Sequence, residues 1–183
     1  MPYKHNTIDR WDSYFLNVCE VVASNSMCMS RHNGAILVRY NSIIATGYNG
    51  PPRGVPHCGK ERIEYDHNLR DRMTRTIDPT VVDVNRCPRK VMGYAPGDGL
   101  DFCIATHAEQ NCIAHAARLG VSVDHAYLYM NDQIPCKTCL AILIDAGISD
   151  IIVTRLECYD DESPYLIRYS KINVWDFNRK VWS

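Results

Sequence analysis

Four residues could do chemistry together: His107 and Glu109 in "HAE", and Cys136 and Cys139 in "PCKTC". His and Cys supply the N and S ligands that zinc favours. Three of them leave a tetrahedral ion with one open position, as catalytic zinc requires, whereas structural sites use four protein ligands. An open site needs a group that moves the proton of its bound water, and Glu109 lies two residues from the candidate ligand His107. Each half has a local alternative. A lone C-x-x-C is equally a redox pair, a metal site or coincidence. Thr106 with Glu109 also fits a capping box, in which the Glu reaches back to a free backbone N–H. Both halves open expected helices, where free N–H groups and the helix dipole favour thiolate.

The elements that must position these residues follow from the periodicity. Trp11, Phe15, Val18 and Val22 recur at helical spacing, predicting a helix over 8–23 with Thr7 as its cap. "GAILVRYNSIIATGYNG" reads as strands 35–40 and 43–48 joined by a tight turn at Asn41. A Gly/Pro-rich loop follows. Residues 60–90 are densely charged with both signs interleaved, which predicts a surface insertion with one short helix near 61–75 and no core of its own. Helix 107–119 ends at Gly120. Strand 125–130, helix 137–146, strand 150–154, a helical turn near 163–170 and a strand over 172–175 complete the series. This alternation predicts a three-layer α/β domain over 1–183, with a mixed sheet of about five strands, helices on both faces and an insertion at 59–103.

Composition narrows the function. The chain has 183 residues, 22% charged and 46% apolar, with a net charge of −1, which argues against holding nucleic acid by counterion release. Asn17 and Glu20 interrupt the apolar N-terminal run, so neither a signal peptide nor a membrane span is expected and the location reads as cytoplasmic. Nine cysteines, an odd count without an export signal, point to metal ligation or buried thiols instead of disulfides. Cys19 and Cys112 fall within helical patterns and read as core thiols.

The pair H-x-E and P-C-x-x-C is the signature of zinc deaminases. With "NGAILV", "TGYNGPPRG", "HAEQNCIAHAARLG" and "PCKTCLAILIDAGI", the chain resembles the cytidine and deoxycytidylate deaminase superfamily over about residues 8–155. The resemblance is strongest to its dCMP deaminase branch, phage-type members included. It implies zinc on His107, Cys136 and Cys139. Glu109 would carry a proton from water to N3 of cytosine during attack at C4, then to the departing ammonia. The product, dUMP, would supply thymidylate synthesis. Asn49, Ala108 and Tyr159 are implied as substrate contacts, and Gly47, Gly50 and Arg53 as a phosphate or effector loop.

The same resemblance implies dCTP and dTTP as effectors, with Mg2+ accompanying a nucleotide effector, and a homo-oligomer, a hexamer by preference. Cys28 and Cys58 match two ligands of a second, structural zinc in phage-type relatives. Cys87 and Cys103 would complete it, with His57 or His67 as substitutes for one Cys. Asn33 stands where the family commonly has Val. The competing readings are a related deaminase acting on dCTP, a nucleoside or tRNA adenosine, and a zinc-stapled binding module without turnover.

Overall fold

The computed structural model describes residues 10–76, 83–178 and 180–182, which fall into two compact units. The first comprises Met1–Ser26, Asn33–Tyr48 and His107–Ser183. Within it lie α1 (Arg10–Ala23), β1 (Gly34–Arg39) and β2 (Ser42–Tyr48). The second comprises Met27–His32 and Asn49–Thr106, with α2 (Lys60–Tyr65), α3 (His67–Thr76) and α4 (Pro88–Val91). The first unit continues with α5 (Ala108–Arg118), β3 (Tyr127–Met130), α6 (Lys137–Asp145), β4 (Asp150–Val153), α7 (Ser163–Tyr169) and β5 (Asn173–Asp176). Thr7 and Ile8, the expected start of the first helix, lie outside the described residues.

The first unit is built on a five-stranded sheet in the order β2-β1-β3-β4-β5. β1 runs antiparallel to β2 and β3, while β3–β4 and β4–β5 are parallel. The hairpin turns at Tyr40 and Asn41, both with positive φ (53° and 57°), the tight geometry that matches strand twist. Alternation along β1 sends Ala35 and Leu37 to one face, Ile36 and Val38 to the other. The first face packs on α5, α6 and α7 through Cys112, Ala116, Leu140, Leu143 and Ile167. The second packs on α1 through Phe15 and Cys19, with Tyr129 and Ile152 from the sheet. Both faces being covered explains why β4 is apolar and buried at every position after Asp150.

The second unit corrects two expectations. Residues 61–75 form two helices, because the chain breaks at Asp66, whose Oδ1 accepts the Leu69 N–H (2.9 Å) at the start of α3. The charged segment also has a small core: Leu69, Met73 and Met92 are buried, with Ile63, Val91, Tyr94 and Phe102 against them. The apolar residues are too sparse in sequence to announce a core, and long side chains cover it. The Arg72 guanidinium lies 5.4 Å from the Phe102 ring centre, and Arg62 is buried while donating to the Phe102 carbonyl (2.7 Å).

Candidate functional site

α5 and α6 each begin at a candidate ligand: His107 is the N-cap of α5 and Cys136 the N-cap of α6, both in extended backbone. Cys139 follows in the first turn of α6 and is fully buried. His107 Nδ1 lies 3.5 Å from Cys136 Sγ and 3.3 Å from Cys139 Sγ. Zn–N and Zn–S bonds of about 2.0–2.3 Å put tetrahedral ligand atoms roughly 3.3–3.8 Å apart, so the three donors have the spacing of a zinc site. The Cys136 thiol is lowered to about 4, chiefly by its hydrogen bond with Cys139 and helped by His107 against the cost of burial. Among the described residues, no second set of three His, Cys, Asp or Glu ligand atoms gathers within 4.8 Å.

Glu109 is the second residue of α5 and only 4% exposed. Burial pushes its carboxyl above the usual range, and it hydrogen-bonds with the Cys139 thiol. The alternative Thr106–Glu109 capping box is not formed; the box lies one residue on, at His107 and Gln110. The His107 N–H donates to Gln110 Oε1 (3.1 Å), so the helix start is closed without Glu109. The Glu109 carboxyl is thus buried against a candidate metal ligand and is not consumed by capping.

The loop from Asn131 to Cys136 is stitched to the segment after β4. Asp132 Oδ2 accepts Asn33 Nδ2 (2.9 Å), and Oδ1 pairs with Arg155. Arg155 also meets Glu157 (3.0 Å), and the Ile134 N–H donates to the Glu157 carbonyl (3.1 Å). Asn33, read in the sequence only as a departure, thus anchors this loop. Asp160 Oδ2 accepts the Lys137 N–H (2.7 Å), next to Cys136. Asp132, Arg155 and Asp160 were not singled out in the sequence. The available signal was Asp160 three residues before Ser163-Pro164, a helix-start pattern.

The other candidates have definite places. Ala108, the first residue of α5, is buried in the core face with Cys112, whose thiol donates to the Ala35 carbonyl (3.1 Å). Tyr159 is half-buried. Gly47 belongs to β2 and not to a loop: a Cβ there would overlap the Ala108 carbonyl and Cys112 nitrogen, so close packing of strand on helix accounts for it. In the second unit Asn49 is buried and donates to the Arg31 carbonyl (3.0 Å). Gly50 forms a two-bond bridge with Thr106, and Arg53 is exposed. Cys58 contacts the Arg62 guanidinium (3.7 Å) and feels the charges of Cys87 and Cys103, while burial raises its thiol. The Nδ1 of neighbouring His57 is buried with no hydrogen-bond partner.

A mixed sheet with two ligand-bearing helix starts beside a buried carboxyl defines the cytidine-deaminase-like class. The pattern of the family described as "Cytidine and deoxycytidylate deaminase zinc-binding region" matches residues 9–155, and the chain belongs to that family. It is 35% identical over 164 residues to a deoxycytidylate deaminase of Schizosaccharomyces pombe, covering 90% of this chain and 43% of that protein. It is 28% identical to a deoxycytidylate deaminase of Mycobacterium phage D29, covering 79% and 94%. The chain thus spans less than half of the yeast relative but nearly all of the phage one. The crystal structure of dCMP deaminase from cyanophage S-TIM5 in complex with dCMP and dUMP shares the fold, with a TM-score of 0.62 at 20% identity over 90% and 94% of the two chains.

Proposed function

We propose that this protein is a zinc-dependent hydrolase that deaminates dCMP to dUMP, releasing ammonia. The observation that carries the reading is Glu109, buried beside His107, Cys136 and Cys139 and left out of the helix cap. Those three residues would hold the zinc. When bound, zinc lowers the pKa of a coordinated water towards neutrality. Glu109 would take one proton from the water and deliver it to N3 of cytosine as the oxygen bonds to C4, then take the second proton from that oxygen and pass it to the amine, which leaves as ammonia when the C4–N bond breaks. Burial raises its carboxyl above the ordinary carboxylate range, the direction in which proton exchange is favoured. Asn49, Ala108 and Tyr159 are assigned to the nucleotide from the family motifs, and Gly50 and Arg53 to its phosphate or an effector.

The yeast and phage relatives named for deoxycytidylate support dCMP over other cytosine substrates. Ammonia release across dCMP, CMP, dCTP, cytidine and adenosine tests it directly. Turnover of dCMP at least tenfold above the rest is expected, and a preference for adenosine or cytidine would reject the assignment. We read the two units as one deaminase domain, since the family match runs through both.

A second, structural zinc on Cys28, Cys58, Cys87 and Cys103 is part of the same proposal. It is supported by the charges of Cys87 and Cys103 acting on the Cys58 thiol, with the unpartnered His57 Nδ1 as an alternative donor. Activation by dCTP with Mg2+, inhibition by dTTP and a hexameric assembly follow from the family motifs. Sigmoidal dCMP dependence that dCTP makes hyperbolic is the expected result for regulation. A hyperbolic curve indifferent to either nucleotide would remove it.

A further inference from the structure

Asp160 makes more bonds than a loop carboxylate needs. Its Oδ2 accepts the N–H of Lys137 (2.7 Å), the first residue of α6. Its Oδ1 accepts the N–H groups of Glu162 (3.1 Å) and Ser163 (2.9 Å) and lies 3.0 Å from the Ser163 hydroxyl. Ser163 is fully buried, and its hydroxyl also lies 3.3 Å from the Pro135 carbonyl. Pro135 and Lys137 flank Cys136. The backbone of that candidate ligand is therefore held on both sides by one pair of side chains, while the Cys136 carbonyl is fixed by the Leu140 N–H (2.9 Å). Asp160 also directly follows Tyr159, the residue assigned to the substrate base.

We propose that Asp160, with Ser163, is a positioning residue that sets the Cys136 ligand and the Tyr159 segment in register. The inference rests on the metal and substrate reading above. Three backbone N–H groups, one on Oδ2 and two on Oδ1, donate to Asp160 whichever acceptor the single Ser163 hydroxyl proton serves, so the position demands an acceptor at both oxygens, which only an ionised carboxylate offers. Burial pushes its pKa up, but the Lys137, Ser163 and Glu162 donors outweigh that and hold it below the usual carboxylate value. An Asn there would turn an N–H towards either Lys137 or the Ser163 turn, and one anchor would be lost. Residues that orient metal ligands from outside typically contribute about 10–100-fold in metal affinity or activity.

The test is zinc release from the zinc-loaded protein to a colorimetric chelator, with kcat and KM for dCMP and thermal stability measured on the same samples. Asp160→Asn should release the zinc held by His107, Cys136 and Cys139 about tenfold faster and lower kcat by about tenfold. Ser163→Ala, which spares the bond to Lys137, should speed release by a smaller factor in the same direction. If Asp160→Asn lowers thermal stability but leaves zinc release and kcat unchanged, Asp160 merely starts α7 and the proposal is overturned. Should Asp160→Asn fail to fold, unchanged zinc release in Ser163→Ala overturns it equally. Zinc release does not depend on the substrate. Faster release in a protein whose parent never turns over dCMP would therefore sustain the positioning role and reject the substrate assignment instead.

Discussion

Gly47 and Ala108 meet backbone to backbone: β2 and α5 approach so closely that a methyl group on Gly47 would overlap the Ala108 carbonyl oxygen. The approach is locked by two further bonds, from Asn111 Nδ2 to the Tyr48 carbonyl (2.6 Å) and between His115 Nδ1 and the Thr46 carbonyl (2.7 Å). Because α5 carries His107 at its cap and Glu109 in its first turn, the size of Gly47 sets where those two groups sit.

Gly47→Ala should accordingly destabilise the zinc-loaded protein by about 1–3 kcal/mol, the usual cost of overpacking. It should also lower turnover, because α5 must shift to admit the methyl group. Urea denaturation and steady-state kinetics on one preparation check this. Unchanged stability would mean the helix start is not seated on the strand as described.

The two core thiols give a prediction from their environment. Burial raises the pKa of Cys19, with Glu20 adding to it, and burial likewise raises Cys112 well above the ordinary value of 9.0. A raised thiol pKa means less thiolate, the reactive form, at any pH below the shifted value. Neither should be alkylated in the native protein at pH 7 or at about pH 9, yet both should label fully in denaturant. Peptide mapping by mass spectrometry reads each site. Native labelling of either would contradict its place in the core.

The proposed second metal predicts two zincs per chain in protein purified with zinc and without chelator, falling to one in Cys87→Ser/Cys103→Ser. Thiolate ligation is coupled to folding, so that variant should lose structure first in the second unit, seen as faster amide exchange over residues 59–103. One zinc in the unmodified protein would leave these cysteines as ordinary thiols.

Much of the first unit was legible in the sequence, because its strands and helices carry clear apolar periods and its candidate ligands lie in short local motifs. All five strands fall within two residues of their expected limits. The sequence leaves the helix cap open by one residue, since Thr106–Glu109 and His107–Gln110 are both acceptable pairings and only packing chooses between them. The second unit was misread. Its core is made of a few residues such as Leu69, Met73 and Met92, spread through a charged segment without a strong period. The clamp of Asn33, Asp132 and Arg155 was invisible for another reason: its partners lie up to 99 positions apart, and no local spacing encodes such a contact.

Glu109 is the group to which the proposed proton transfer is assigned. The direct measurement is ammonia release from dCMP by Glu109→Gln, with zinc content and thermal stability determined on the same protein. The variant should fold and keep the zinc held by His107, Cys136 and Cys139, while kcat falls by about 10²–10⁴, the range a general acid/base contributes. A zinc-loaded, folded variant retaining more than about a tenth of wild-type turnover, outside that range, would contradict the central claim.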